Sequence, residues 1–325
     1  MEERMRTSKK RLSFLLGVFI LFVGFILLIL LITGLAMLRT ALPGLGESVA
    51  ILEVNGAIMD ANPLIKILHQ YRDNTAIKAI VVRVDSPGGV VGSVQELYAE
   101  LKKLRDEHTK PLVASFGNVA ASGGYYVACG TNEIFANPGS LTGSIGVILN
   151  FTNWEELIQK IGLKFEVVKS GPHKDIGSPS RPMTEEERRI MQEMIDDVYS
   201  QFLGAILDSR ADSLRQVLRK RRQTEGDSSK QEVTEAEIKE YLKTLSDGRV
   251  FSGQQAYQLG LVDHLGTLQD AIDHAAKLGG IVGKPHVVIS RRKPSIFDLL
   301  TGNVSKVLRE VRYPEVSLEY RMIAR

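Results

Sequence analysis

The sequence has a single cysteine, Cys129, so no disulfide can form within the chain and cysteine usage is silent on the redox compartment. It also lacks a large excess of charge. Against 41 Lys and Arg stand 38 Asp and Glu, a net +3 that is too small to point to nucleic acid as a partner. No internal repeat is found, which excludes a repeat architecture. Charge of either sign is missing from residues 12–38, LSFLLGVFILFVGFILLILLITGLAML. What remains is ordinary globular material, 44% hydrophobic and 24% charged, enough for a core in one large domain or two smaller ones.

A helix needs about 20 apolar residues to cross a bilayer, and residues 12–38 exceed that. A cleaved signal peptide has a shorter apolar region, about 7–15 residues, closed by a small-residue site. No such site ends this run before Pro43. The stretch is therefore expected to be an uncleaved signal anchor, preceded by a cytoplasmic tail at residues 1–11. Arg4, Arg6, Lys9, Lys10 and Arg11 come before it and only Arg39 closely follows. Basic residues stay on the cytoplasmic side, so everything after Arg39 is expected outside. Residues 39–48 form a short linker.

Beyond the linker, apolar runs with strand character alternate with segments of helical spacing. SVAILEVNGAI (residues 48–58) predicts a strand, residues 67–79 a helix, and AIVVRVD (79–85) a strand buried on both faces. Residues 93–110 carry Val94, Leu97, Leu101 and Leu104 on one helical face. PLVASFG and NEIFANP are short strands, FTNWEELIQKIG a helix, and KFEVVKSG (164–171) a further strand. A long helix is expected over 183–210, with Thr184 as N-cap and Glu185, Glu186 and Glu187 in its first turn. The basic stretch at 210–231 is expected to be exposed, and 234–279 to form short helices separated by turns. The last 45 or so residues show less pattern. This alternation predicts βαβ units around a largely parallel sheet.

Two glycine turns interrupt the pattern. SPGG at residues 86–89 follows a strand and precedes a helix, where exposed backbone N–H groups suit a developing oxyanion. Taken alone it is more often a plain turn. ASGGYY at 121–126 sets Ser122 on a second glycine turn that opens a helix, with the Gly123 N–H beside the hydroxyl. An ordinary N-cap serine is the bland alternative. A nucleophilic serine needs a base. Of His69, His108, His173, His264, His274 and His286, only His173 lies in a polar glycine- and proline-rich segment, KSGPHKDIGSPSRPMT. Its neighbour Lys174 is the other candidate. A free lysine has a pKa near 10.4, so only about one in 2,500 is neutral at pH 7. A catalytic lysine must therefore be desolvated or sit near another cation. The residues alone leave the choice between His173 and Lys174 open.

SPGG, AASGGYY, LTGSIGV (141–147), KSGPHKDIGSPSRPMT and SDGRVFSGQQAYQLGLVD, in that order, strongly resemble signal peptide peptidase A, the protease IV family. The resemblance runs from about residue 48 to 275 and corresponds to the short form with one catalytic unit. It implies an α/β fold of the ClpP/crotonase-like kind, with parallel sheets and flanking helices, over a catalytic domain at 49–275. Residues 276–325 would be an extension. It implies Ser122 as nucleophile, Lys174 as general base and Ser144 as the hydroxyl that orients the lysine amine. The N–H groups of Gly89 and Gly123 would form the oxyanion hole. No metal or nucleotide cofactor is implied.

The resemblance further implies a single-pass protein of a bacterial cell membrane, acting outside on signal-peptide remnants and other hydrophobic peptides. It implies a homo-oligomeric ring, an octamer, with each Ser122–Lys174 site shared between neighbours. Asp85 and Asp175 are expected to be structural, because a carboxylate beside Lys174 would raise its pKa. Cys129 is expected to be a small buried apolar residue. The segment EYRMIAR (319–325) would be able to enter a groove and be trimmed. The rival readings are a related membrane peptidase that cleaves membrane-protein termini, a crotonase-type acyl-CoA enzyme, and a non-enzymatic membrane scaffold.

Overall fold

The computed structural model describes residues 20–34, 46–224, 232–289 and 319–321. Residues 20–34 of the expected anchor are helical, with apolar side chains such as Leu21, Phe22 and Phe25 exposed. Among the described residues no helix is long and apolar enough to cross a membrane. The tail at 1–11, the rest of 12–38, linker residues 39–45, basic residues 225–231, and positions 290–318 and 322–325 of the extension lie outside the described residues.

The frame is a sheet built from β1 (Ser48–Asn55), β2 (Ile77–Ser86), β4 (Leu112–Ala121), β5 (Glu133–Ala136), β6 (Leu141–Gly143), β7 (Val250–Ser252), β8 (His264–Leu265) and β9 (His286–Ile289). Its order is β7-β6-β4-β2-β1-β9, with β5 joining β4 to β8. Every pairing in it is parallel except β6 with β7. The expected mixed α/β fold with a parallel sheet and flanking helices is therefore present. The apolar runs of β1 and β2 explain the arrangement, because both faces of these strands are covered. Ala50, Leu52, Val54, Ile80, Val82 and Val84 face one core, and Val49, Ile51, Ala79 and Val81 face the other.

The larger core is closed by α1 (Asn62–Asp73), α2 (Val91–Asp106), α3 (Gly123–Ala128), α5 (Glu185–Thr224) and α6 (Glu235–Leu245). In α2 the stripe Val94, Leu97, Leu101 and Leu104 is buried, as its spacing predicts. Each such leucine contributes about 1.5–3 kcal/mol by leaving water. The smaller core is closed by α8 (Leu268–Leu278) through Ala271, Ile272, Ala275 and Ala276. The region 234–279 does form short helices, α6, α7 (Gly253–Gln258) and α8. Each is opened by a capping box, on Thr234, Ser252 and Thr267.

Three boundaries differ from expectation. The helix predicted at 67–79 occupies Asn62–Asp73, because Pro63 starts it and Ile77 already pairs with Ser48 in β2. The long helix starts where expected, with Thr184 and Glu187 exchanging hydrogen bonds, but it runs on to Thr224. It takes in 210–224 of the basic stretch, about two thirds of it. Arg210 is buried against Asp263, Arg221 lies over the Tyr241 ring and Arg222 pairs with Glu237. The strand predicted at 164–171 does not form. Its alternation is real, but among the described residues no strand offers it a ladder, and Phe165, Val167 and Val168 stand exposed. Next to it, α4 (Glu155–Lys160) is a short helix without a buried residue.

Candidate active site

Strand β4 ends at Ala121 and α3 begins at Gly123, so Ser122 is the hinge between them. Its backbone sits at φ 52, ψ −118, a region L-residues avoid. Holding it there costs on the order of 1–3 kcal/mol. The surroundings impose that conformation. The Ser122 N–H donates to Gly143 O at 2.8 Å, and Ser122 O accepts from the Tyr126 N–H at 2.9 Å. Helix α3 is wholly buried and is fixed from below by the Tyr125 hydroxyl, which donates to Leu261 O at 2.8 Å. Gly123 is its first residue, where an N–H has no acceptor one turn back.

The glycine motifs converge on this hinge. A Cβ at Gly124 would lie 2.7 Å from Ser86 O, so the second turn packs backbone to backbone against SPGG. There the Ser86 hydroxyl accepts from the Gly88 N–H at 3.1 Å, and Gly88 takes φ 106. Gly89 is pressed on Ile58, whose carbonyl oxygen would be 2.1 Å from an added Cβ. On the other side Gly143 and Ser144 both have positive φ, and the Ser144 N–H donates to Arg249 O at 2.7 Å. Ser122 and Ser144 open on one cavity of about 490 Å³, with Ile145, Tyr199, Asp247 and Gly248 on its walls. Asp247 and Gly248 belong to the SDGRVFSG motif, and their place on the wall explains it. Tyr199 comes instead from the middle of α5, where a helical tyrosine carries no sequence signal.

A second feature borders the site. The short strand β3 (Gly88–Val90) pairs antiparallel with β10 (Glu319–Arg321), with residue 320 opposite Gly89. A later stretch of the chain therefore lies in extended form along the SPGG edge.

Lys174 is not gathered in. It is exposed, it does not line the cavity at Ser122, and among the described residues its amine and the Ser122 hydroxyl make no hydrogen bond. Its segment is nonetheless ordered. Asp175 pairs with Lys169 at 2.6 Å and with Arg181 at 2.8 Å, and Arg181 reaches Glu187 at 2.5 Å. Hydrogen bonds from Arg181 and Lys169 hold the Asp175 carboxyl well below the usual carboxylate range. The same Arg181, followed by the Thr184 N–H, brings Glu187 down to about 2. His173 stands 3.7 Å from Glu186, and its Nδ1 is buried without a partner among the described residues. Asp85 accepts from the Val119 N–H at 3.1 Å, where the pairing of β2 with β4 shifts register. Cys129 is fully buried, and burial pushes its thiol up to about 12.

The model of peptidase family S49 matches residues 104–232 and 230–281. A protein of Synechocystis sp. named as a protease is 42% identical over 72% of this chain and 76% of its own length. The chain belongs to peptidase family S49. It is accordingly a serine peptidase. Other S49 relatives are longer. A protein of Enterococcus faecium named as signal peptide peptidase SppA is 31% identical over 70% of this chain and 62% of its own. Protease 4 of Salmonella typhi is 31% identical over 82% of this chain, which spans 40% of that protein. Among solved structures, a membrane-bound stomatin-specific protease in complex with a substrate peptide aligns with TM-score 0.42 and 14% identity. The alignment covers 80% of this chain and 99% of that one, a likeness too weak to bear on the site.

Proposed function

We propose that this S49 member is a membrane-anchored serine endopeptidase with Ser122 as nucleophile and Lys174 as general base. It would degrade cleaved signal peptides and other hydrophobic peptides at the outward face of the membrane. The observation that carries this reading is the Ser122 hinge: a strained, buried serine between packed glycine turns, facing a cavity it shares with Ser144. Strain of this kind is a cost that a purely structural serine has no reason to bear.

In this mechanism a neutral Lys174 amine takes the proton from Ser122 Oγ as the oxygen attacks the peptide carbonyl. The N–H groups of Gly89 and Gly123 receive the developing oxyanion. The lysine then gives its proton to the leaving amine, and a water deprotonated by the same lysine hydrolyses the ester. Ser144 orients the amine. A substrate strand would add to β3, as residues 319–321 of this chain do, so that main-chain hydrogen bonds align the scissile bond. Such trimming would extend to the chain's own EYRMIAR segment. The nucleophile turn and the sheet that carries it support a ClpP/crotonase-like form of the α/β fold.

The exposure of Lys174 supports a site shared between subunits. It sits on a segment whose apolar side chains, among them Trp154, Leu157, Ile161, Leu163 and Phe165, are exposed. Packing that segment on a neighbour would bury those side chains and desolvate the amine, the condition a lysine base needs. We read the assembly as a ring, an octamer by the family resemblance. Residues 12–38 would anchor each subunit, with the basic flank inside and the site outside. A tethered site near the bilayer gains effective concentration toward peptides left in it.

The test is covalent labelling of the assembled full chain with a serine-directed phosphonate, followed by peptide mass spectrometry. The adduct is expected on Ser122, and Lys174→Ala should label much more slowly. An adduct on another residue, or none, overturns the assignment.

A further inference from the structure

Away from Ser122, three side chains far apart in sequence meet at the branch of the sheet. Glu133 opens β5, His264 opens β8, and His274 projects from α8. The Glu133 Oε2 lies 2.5 Å from His264 Nε2 and 2.9 Å from His274 Nε2. The three ligand-bearing atoms all lie within 4.8 Å of one another. His274 Nε2 is buried and meets the Glu133 carboxylate at 2.9 Å as an ion-pair contact, without a well-formed hydrogen bond among the described residues. An imidazole nitrogen so placed has given up water without a full hydrogen bond in return, and is free to turn its lone pair to an ion.

The rings are also oriented in advance. Phe135 stacks on the His264 ring at 4.5 Å, and the His274 ring lies 5.3 Å from both Phe135 and His264. The aromatic wedge fixes both imidazoles with their Nε2 atoms toward the carboxylate. Glu133 and His264 further line an open cavity of about 720 Å³, with Lys220 and Arg221 on its wall. Solvent reaches the cluster, since the three side chains are 28–41% exposed.

We propose that Glu133, His264 and His274 form a binding site for one divalent transition-metal ion of the zinc class. Two imidazole nitrogens and one carboxylate oxygen are a donor set that Zn²⁺ accepts at about 2.0–2.2 Å per bond. Ligands so bound to a tetrahedral ion stand roughly 3.3–3.6 Å apart by that geometry, so an entering ion must draw both imidazoles back from the Glu133 carboxylate, His264 by most of an ångström and His274 by about half of one. A hard ion such as Ca²⁺ or Mg²⁺ would want more oxygens. Three protein ligands leave a fourth position for water or a small anion, which Lys220 and Arg221 would attract. The ion ties β5, β8 and α8 together and takes no part in the Ser122 chemistry.

The experiment uses the full chain without a polyhistidine tag, titrated with Zn²⁺ by calorimetry and with Co²⁺ by visible absorption. One equivalent per chain, Co²⁺ d–d bands of a low-coordinate site, and a rise in Tm with Zn²⁺ are expected. Glu133→Gln, His264→Gln and His274→Gln keep shape while removing a ligand, and circular dichroism reports their folding. Each should weaken binding at least as much as losing an outer-shell partner does, about 10–100-fold. No stoichiometric uptake by the wild-type chain overturns the site. So does uptake that is undiminished in folded His264→Gln and His274→Gln, or a Mg²⁺ response equal to that of Zn²⁺. None of these readouts depends on peptidase activity.

Discussion

Gly124 shows how a single missing methyl group shapes the site. An added Cβ would stand 2.7 Å from Ser86 O and 3.3 Å from Val84 Cγ1, so Gly124→Ala must push the SPGG turn away from the Ser122 hinge. A displacement of about 1 Å at a reacting centre costs on the order of a hundredfold in rate. Gly124→Ala is therefore expected to lose about that much kcat on a peptide substrate. Gly139→Ala, where an added Cβ meets nothing within 4 Å, should keep wild-type kcat; equal rates for the two variants would contradict the packing argument. The hinge itself is legible in the sequence as a serine ahead of paired glycines at a strand end, although an ordinary N-cap would read the same way. What demands Gly124 is not, since Ser86 O reaches it from a different strand. Arg210 gives the opposite lesson. It belongs to a run of basic residues and so reads as exposed, yet it is buried against Asp263, whose carboxylate also accepts from the Ile134 N–H. A charge run does not reveal which of its members turns inward. The Glu133–His264–His274 cluster is equally hidden, because only the sheet brings residues of such sequence separation together.

At the scale of elements, the segment that carries Lys174 is held to the start of α5 by Arg181. This guanidinium bridges Asp175 and Glu187 and is a charged tie between the segment and α5, beside the Trp154 N–H that donates to Pro179 O at 2.7 Å. Arg181→Met is expected to lower kcat by at least tenfold, on the order set by misplacing a catalytic group. Tm should change little, because the sheet is untouched. Hydrogen exchange is expected to rise at amides 169–182 and not in β1 or β2, which marks local and not global opening. Acid should mimic the variant. Arg181 and then the Thr184 N–H bring the Glu187 pKa from its ordinary 4.5 to about 2, so the folded carboxyl binds its proton more weakly than the unfolded one. The stabilisation is complete above about pH 4.5 and is lost as pH falls through about 2. Exchange in 169–182 should rise over that window in the wild-type chain, and Arg181→Met should have lost the dependence. An arm equally protected in both proteins would show that Arg181 is not its fastening. The unformed strand at 164–171 belongs to the same element. Alternating apolar residues are a fair strand signal, but a strand exists only where a partner edge exists, and period alone does not supply one.

For the whole molecule, the apolar runs of β1, β2 and β4 announce a sheet covered on both faces, and the βαβ rhythm announces parallel pairing. Strand order and the branch at β5 and β8 are set by pairings too short for sequence to rank. The proposed division of labour between chains makes a quantitative prediction. If each working site takes Ser122 from one subunit and Lys174 from the next, Ser122→Ala and Lys174→Ala should each be inactive alone. In rings assembled from an equal mixture, a site works when a Lys174→Ala subunit, with its serine intact, is followed by a Ser122→Ala subunit, with its lysine intact. In a closed head-to-tail ring that happens at about one site in four. Co-expressed mixtures should then recover about a quarter of wild-type activity per chain. If both groups of a site instead came from one chain, every site in the mixture would lack one of them, and well-mixed rings would be as dead as their parents. Peptidase assays on mixed rings, with the subunit ratio fixed by mass spectrometry, separate a quarter from zero.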